Sequence, residues 1–407
     1  MKIKNFISYT RYGFINKKFN GAVLFTDIAI LVYGVISFIE EPKPASFIVL
    51  FLSVFMNIIW QAYSALHDLL EYYSKNGLEE YIFPSESIDF SRFIDEREGL
   101  EVIRTSHGTA GINRQLNEWI RNNDLNVEED TDATAVVNTY IEKNFDALLP
   151  FLTRHYRRTV AEDRLFSNDE KLCFSGDFID KDLFLVSKGS YYNSFLTNRI
   201  FSQKLVGDDG VDLFPAKGCT SMDIKFPYRC FSNEIGISTL AVTKDGYLFF
   251  QLQGNHSDSS PGLIVPSGSG SADWSDFDNN RTLTFKELIS YSTKRELSEE
   301  TGSAMAEVTV SKVIGFYRWL EQAGKPEFIS VSKLNMDSKE IQPEKKEQQN
   351  KIIKFRVVSN GKLNEKALTD CFEYLSDPNL SLPLYMCLMY LKDFYDNDPE
   401  SLAKIFI

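Results

Sequence analysis

The sequence has little cysteine and little histidine. Its 407 residues include five cysteines and four histidines. The cysteines are scattered, odd in number and without a CxxC pair, and the histidines form no pair at metal-ligand spacing. The pattern supports neither a disulfide framework nor a zinc cluster, and it favours a reducing compartment.

Basic residues are also in the minority. The chain carries 44 Lys and Arg against 57 Asp and Glu, a formal net charge of −13. Because attraction to a phosphate backbone needs a basic surface, binding to a nucleic-acid polymer is not expected. Hydrophobic residues make up 43% and charged residues 25%, which excludes wholesale disorder. The length predicts two or three structural units.

Two long apolar runs lie in the first seventy residues. Residues 21–39 contain a single charge, Asp27, and residues 46–66 contain none. At about 1.5 Å rise per residue each run would span about 30 Å, so the pattern predicts a transmembrane hairpin over 21–66. Lys and Arg are concentrated in residues 1–20, which predicts a multi-pass protein with both termini cytoplasmic. A pair of buried core helices is the alternative.

Polar residues inside these runs are candidates for a functional role. Asp27, Asn57 and Gln61 could make contacts between protomers or line a pore. The alternative for Asp27 is an interfacial position, where its side chain reaches the head groups.

Residues 67–165 are predicted to form a helical connector. Residues 67–82 are expected to be helical, as are 111–124 and 133–160, where apolar residues recur at helical spacing. Pro150 is expected to break or kink the last of these helices.

The most informative stretch is FKELISYSTKRELSEETG, residues 285–302. On a helix, Glu296, Glu299 and Glu300 share one face, because residues three and four apart are neighbours. Three carboxylates repel one another unless a cation lies among them, and hard oxygen ligands suit Mg²⁺ or Mn²⁺. The pattern therefore predicts a divalent-cation site.

The remaining residues of this helix have structural roles. Arg295 is expected to form an ion pair with Glu287, and Gly302 to supply the left-handed turn that ends the helix. Leu288 and Leu297 are expected to face a hydrophobic core.

This stretch resembles the Nudix box over residues 281–303. Seven positions match the box: Glu287, Arg295, Glu296, Leu297, Glu299, Glu300 and Gly302. Residues 234–253 resemble the opening hairpin of that fold, with its turn at 244–246, and residues 312–334 resemble the next strand pair. The resemblance implies a Nudix-like α/β/α sandwich with a mixed sheet over residues 166–407. The overall class is then α+β: a two-helix transmembrane hairpin, a helical connector and this sandwich.

The box departs from the family pattern near its start. Arg281 stands where the box opens with glycine, the insertion SADWSDFDNN precedes the helix, and Ser303 replaces the closing aliphatic residue. A remodelled approach leaves metal binding plausible and places hydrolysis in doubt.

The combination of membrane anchor, connector and atypical box resembles the SMODS-associating Nudix family. That resemblance implies an effector of bacterial cyclic-oligonucleotide-based anti-phage signalling (CBASS) in the bacterial inner membrane. Its Nudix-like domain would sense a cyclic oligonucleotide made by a nucleotide cyclase. Its membrane helices would oligomerise and disrupt the inner membrane.

Two other functions remain open. One is a membrane-anchored, Mg²⁺-dependent Nudix hydrolase of nucleoside diphosphate-type compounds, with Glu299 as the candidate catalytic base. The other is a scaffold built on an inert Nudix fold.

Overall fold

The computed structural model describes most of the chain after residue 97. It covers residues 98–161, 168–178, 183–206, 230–254, 262–342 and 348–407, together with 79–82, residue 260 and isolated positions between 9 and 55. The helices are α1 (Arg114–Asn122), α2 (Thr131–Ala161), α3 (Tyr191–Ser194), α4 (Trp274–Asp278), α5 (Phe285–Thr301), α6 (Glu365–Glu373), α7 (Leu382–Asn397) and α8 (Pro399–Phe406).

The strands of the described residues fall in four sheets. They are β1 (Glu79–Ile82), β2 (Glu101–Thr105), β3 (Gly108–Ile112), β4 (Asn126–Glu129), β5 (Glu170–Phe174), β6 (Leu183–Ser190), β7 (Gln203–Val206), β8 (Gly236–Val242), β9 (Tyr247–Gln253), β10 (Ile264–Val265), β11 (Gly268–Ser271), β12 (Val308–Trp319), β13 (Lys325–Leu334), β14 (Gln348–Arg356), β15 (Val358–Ser359) and β16 (Lys362–Leu363).

A large mixed sheet forms the centre of the molecule. Its strand order is β10–β9–β8–β13–β12–β3–β2, with β11 also paired to β8 and β14 also paired to β9. β13 and β8 are parallel, whereas the other pairs are antiparallel. The predicted turn at 244–246 joins β8 to β9, and Gly246 there has a φ of 85°. The predicted strand pair at 312–334 is the β12–β13 hairpin.

Helices cover both faces of this sheet. On one face, α5 packs over a cluster of rings that includes Phe285, Phe316 and Phe328. On the other face, α7 packs over a cluster that includes Tyr317 and Ile329. Side chains alternate along the strands, and burial of each ring is worth about 2–3 kcal/mol. The α/β/α arrangement expected for the C-terminal part is therefore present.

A second, smaller unit, named here the upstream unit, lies between β3 and β8 in sequence. Its sheet has the order β4–β6–β5. Next to it, the predicted helix at 133–160 is α2, which runs without interruption through Pro150. Tyr9 and Tyr12 belong to the hydrophobic cluster around α2. The hydroxyl of Tyr9 lies 2.6 Å from the hydroxyl of Thr153.

A turn of π-helix, Phe195–Arg199, joins this unit to the main sheet. Nδ2 of Asn198 donates to Oδ1 of Asn233 at 2.9 Å and to the carbonyl of Gln322 at 3.0 Å. Side chains on one wide helical turn thus contact two loops of the main sheet, so the upstream unit is tied to the sheet by specific hydrogen bonds.

The connector differs from the helical prediction. Residues 79–82 form β1, not a helix, and residues 101–112 form the β2–β3 hairpin, which extends the main sheet. The polar segment 126–129 is also a strand, because parallel pairing with β6 satisfies its backbone. Only the helices at 114–122 and 131–161 fit the prediction.

The prediction of a transmembrane hairpin is wrong for the structure described. Within the described part of the chain, no helix combines the length and the apolar run needed to cross a bilayer. Hydropathy predicts a span only where a run forms one uninterrupted helix, and the structure describes only isolated positions within residues 21–66. The same finding contradicts the prediction of a multi-pass protein in the inner membrane.

Candidate functional site

The helix α5 carries the predicted site. It begins after Thr284, whose side chain forms a capping box with Glu287, and it ends at Gly302 with a φ of 67°. The left-handed end is the one expected from sequence, since only glycine adopts it without strain. Leu288 and Leu297 are fully buried, which confirms their predicted core positions.

Arg295 does not pair with Glu287, so that prediction is wrong. The carboxylate of Glu287 accepts instead from the backbone N–H of Thr284 at 2.9 Å. Nε and Nη2 of Arg295 donate to the two oxygens of the buried Asp276 at 2.9 and 3.1 Å. Nη2 also donates to the carbonyl of Ser271 at 3.0 Å. The partner comes from the insertion before the helix, which folds back on it as α4.

The third nitrogen of Arg295 gathers acidic side chains. Its Nη1 lies 3.2 Å from carboxylate oxygens of both Glu296 and Glu299, and 3.4 Å from Oδ2 of Asp273. The structure therefore brings two of the three predicted metal ligands together around one cationic atom. Charge-assisted contacts of this kind also raise the pKa of the guanidinium above its ordinary value.

Glu296 occupies a space that Gly270 leaves open. A Cβ built on Gly270 would lie 1.9 Å from Oε1 of Glu296. The side chain of Glu296 is 17% exposed. Burial raises its pKa to about 7, with the carboxylates of Glu299 and Asp273 adding to the effect and Arg295 and Lys171 opposing it. Glu296 is thus a carboxyl group that lacks sufficient positive charge nearby.

The other two glutamates have different surroundings. The side chain of Glu299 is 58% exposed and faces solvent. Glu300 is buried, and its carboxylate accepts from Nε2 of Gln251 at 3.4 Å and from the backbone N–H of Ser269 at 3.3 Å. Glu300 is therefore held against β9 and β11.

The fit of these residues to a divalent cation rests on their chemistry. Across the described residues, no group of three or more His, Cys, Asp or Glu side chains converges so as to hold a metal ion. The donors are nonetheless hard oxygens, Gly270 leaves room for one of them, and Nη1 of Arg295 is a positive stand-in between Glu296 and Glu299. The residues thus fit a cation that replaces Nη1 of Arg295 as the partner of the Glu296 and Glu299 carboxylates.

Arg281, which replaces the opening glycine of the box, pairs with acidic residues outside the cluster around Arg295. It forms ion pairs with Glu129 at 2.7 Å and with Asp278 at 2.6 Å, and half of its side chain is exposed. Its guanidinium also lies 5.0 Å from the ring centre of Phe277. Arg281 thus ties the insertion to β4.

One charged residue at the site was missed from the sequence. Nζ of Lys171, on β5, lies 2.6 Å from Oδ1 of Asp273. Lys171 precedes Asp273 by 102 residues, so no local spacing connects them. The alternation of side chains along residues 170–174 predicts a strand, but it does not predict which strands lie next to it in the sheet. The three polar residues of the apolar runs, Asp27, Asn57 and Gln61, lie outside the described residues.

Comparison with known proteins gives structural neighbours alone. No protein-family model matches the sequence. No curated protein matches it either.

Three solved structures illustrate the likeness. DR0079 from Deinococcus radiodurans is 12% identical over 38% of this chain and 81% of its own, with a TM-score of 0.25. A MutT protein from Methanosarcina mazei Go1 is 15% identical over 40% of this chain and 95% of its own, with a TM-score of 0.28.

The third is a bifunctional NMN adenylyltransferase/ADP ribose pyrophosphatase from Francisella tularensis, complexed with AMP and a manganese ion. It is 14% identical over 40% of this chain and 42% of its own, with a TM-score of 0.26. Likeness at this level carries no statement about the activity of the present chain.

Proposed function

We propose that this chain is a nucleotide sensor whose Nudix-like domain binds a cyclic oligonucleotide second messenger with the help of Mg²⁺ or Mn²⁺. The ligand would be the product of a nucleotide cyclase, as in CBASS, and binding would favour self-association of the chain. The resemblance of residues 281–303 to the Nudix box supports the ligand class.

One observation carries the proposal: the site has more negative than positive charge. Arg295 and Lys171 face four carboxylates, those of Asp273, Asp276, Glu296 and Glu299. A fifth, that of Glu300, accepts only weak hydrogen bonds from Ser269 and Gln251 among its described contacts. Buried carboxylates are stable as anions only when they are paired. A divalent cation would supply the missing positive charge, and Glu296, Glu299 and Glu300 would hold it.

Binding is favoured over turnover by the position of Arg295. Its Nη1 already contacts Glu296 and Glu299, so these two carboxylates are partly neutralised without a metal. Arg281 in place of the opening glycine acts in the same direction, because it helps to hold a bulky insertion next to the site. The proposed output is self-association of the chain and does not involve a transmembrane hairpin.

Calorimetry on the full chain tests the proposal. Cyclic di- and trinucleotides would be titrated in Mn²⁺ and again in EDTA. We expect at least one of them to bind at about micromolar affinity, near −8 kcal/mol, and to bind more weakly in EDTA. The double variant Glu299→Gln with Glu300→Gln should lose the Mn²⁺ dependence. Failure of every cyclic nucleotide to bind would disprove the sensor function.

The second candidate is a Mg²⁺-dependent hydrolase of nucleoside diphosphate-type compounds. Glu299 favours it, because its solvent-facing carboxylate could accept a proton from water. Chromatography of ADP-ribose and dinucleoside polyphosphates after incubation with the chain and Mg²⁺ would detect it. Rapid turnover that Glu299→Gln abolishes, with no binding of cyclic nucleotides, would establish the hydrolase instead of the sensor.

A further inference from the structure

Strand β5 of the upstream unit is built directly into the wall of the acidic site. The backbone N–H of Leu172 donates to the carbonyl of Ala272, that of Ala272 to Ile235, and that of Ile235 back to Leu172, each at 2.9 Å. This closed set of bonds places Lys171 opposite Asp273. The position of Lys171 is therefore fixed by backbone pairing and not only by its own ion pair.

The cations around the site differ in how fully they are engaged. All three nitrogens of Arg295 have carboxylate or carbonyl partners. Lys188 lies on the neighbouring strand β6, is 42% exposed and pairs with Glu170 at 2.6 Å. Among the described residues, Lys171 has one ion-pair partner, Asp273, for an ammonium group that can donate three hydrogen bonds.

The side chain of Lys171 is largely buried but keeps a small exposed area. It is 14% exposed and that of Asp273 is 27% exposed, so solvent reaches the pair. Through Asp273, which also contacts Arg295, Lys171 stands two contacts away from Nη1, the atom that gathers Glu296 and Glu299.

We propose that Lys171 is the phosphate-recognition residue of this site, which exchanges Asp273 for a phosphate group of the ligand. The inference rests on the proposed function, in which the ligand carries phosphates. An acidic site repels an anionic ligand unless a cation lies within reach, and Lys171 is the cation at its edge with donors to spare. The upstream unit would then take part in recognition and would not serve only as a spacer.

The test compares binding of the metal cation with binding of the phosphate anion, because the charge of Lys171 affects the two affinities in opposite directions. Removing its positive charge strengthens binding of a cation and weakens binding of an anion. The probes are Mn²⁺ alone, followed by electron paramagnetic resonance, and inorganic pyrophosphate in Mg²⁺, followed by calorimetry. Both use the full chain.

We expect Lys171→Met to weaken pyrophosphate binding about tenfold and to strengthen Mn²⁺ binding about threefold, as expected for a unit charge close to the site. Lys171→Arg should retain pyrophosphate binding within about threefold, because the charge is kept. Lys188→Met, on the adjacent strand, is the matched control and should change neither.

Each other outcome has a definite meaning. If Lys171→Met weakens Mn²⁺ and pyrophosphate binding equally, the residue is only structural and the proposal is wrong. If pyrophosphate binding is unchanged while the wild type binds both probes, the proposal is wrong and the proposed function stands. If the wild type binds neither probe, the proposed function fails and the role of Lys171 fails with it.

Discussion

Gly270 and Glu296 are fitted to each other across the contact between β11 and α5. A Cβ on Gly270 would come within 2.3 Å of the carboxyl carbon of Glu296, so this carboxylate lies where a side chain would otherwise be. Gly270 does not have a positive φ. Glycine is therefore needed at this position because of the space that Glu296 occupies and not because of the backbone conformation.

The substitution Gly270→Ala should separate binding from stability. The added methyl displaces the flexible end of Glu296, so we expect a small change in the free energy of unfolding, within about 1 kcal/mol. Mn²⁺ affinity should fall about tenfold, because a ligand has moved. Ser269→Ala on the same strand is the control. Unchanged Mn²⁺ affinity in Gly270→Ala would show that Glu296 is not a ligand.

The pKa of Glu296 predicts a pH dependence of stability. Its folded value of about 7 lies above the ordinary 4.5, so the folded chain holds this proton more tightly than the unfolded chain. Stability contributed by the protonated carboxyl is present at low pH and is lost as the pH rises towards and through 7, by about 1–3 kcal/mol. Glu296→Gln should therefore melt at a higher temperature than wild type at pH 8, and the difference should shrink at pH 5. The same difference in melting temperature between Glu296→Gln and wild type at pH 5 and at pH 8 would contradict this.

Arg295 should be the most sensitive residue of the helix. Arg295→Met leaves the buried carboxylate of Asp276 without its bidentate partner, which costs about 3–5 kcal/mol. Denaturant unfolding measures the loss, and adding Asp276→Asn to Arg295→Met should recover part of it. Arg281→Met removes two surface ion pairs and is the control, with a loss of about 1 kcal/mol or less expected.

Glu287 should affect stability and not binding. Glu287→Ala removes one half of the capping box at the start of α5, at a cost of about 1 kcal/mol. Glu287→Gln keeps a side-chain acceptor and should cost less. Mn²⁺ affinity should stay at the wild-type value in both variants, since Glu287 lies at the opposite end of the helix from the carboxylate cluster. Loss of Mn²⁺ binding in Glu287→Ala would contradict this assignment.

Local patterns predicted the elements that carry the site. The helix at 285–302, its end at Gly302 and the turn before Tyr247 all follow from spacing and from glycine within a few residues. These features depend on interactions between near neighbours, which a sequence displays directly.

Partners distant in sequence were not predictable in the same way. Spacing alone suggested that Arg295 pairs with Glu287, two turns away, but the guanidinium binds Asp276 because α4 folds back on α5. Lys171 reaches Asp273 only through the pairing of β5 with its neighbours. The strand at 126–129 depends likewise on β6, which lies more than fifty residues later. Each of these contacts is chosen by tertiary packing, which overrides local preference.

The buried ion pair between Glu98 and Arg318 joins residues 220 positions apart, at 3.0 and 3.1 Å. During synthesis on the ribosome, Glu98 and the β2–β3 hairpin emerge long before the strand that completes their sheet. The growing chain must therefore keep an unpaired sheet edge and an uncompensated carboxylate in solution until β12 follows. This part of the sheet can therefore close only after translation has passed residue 318.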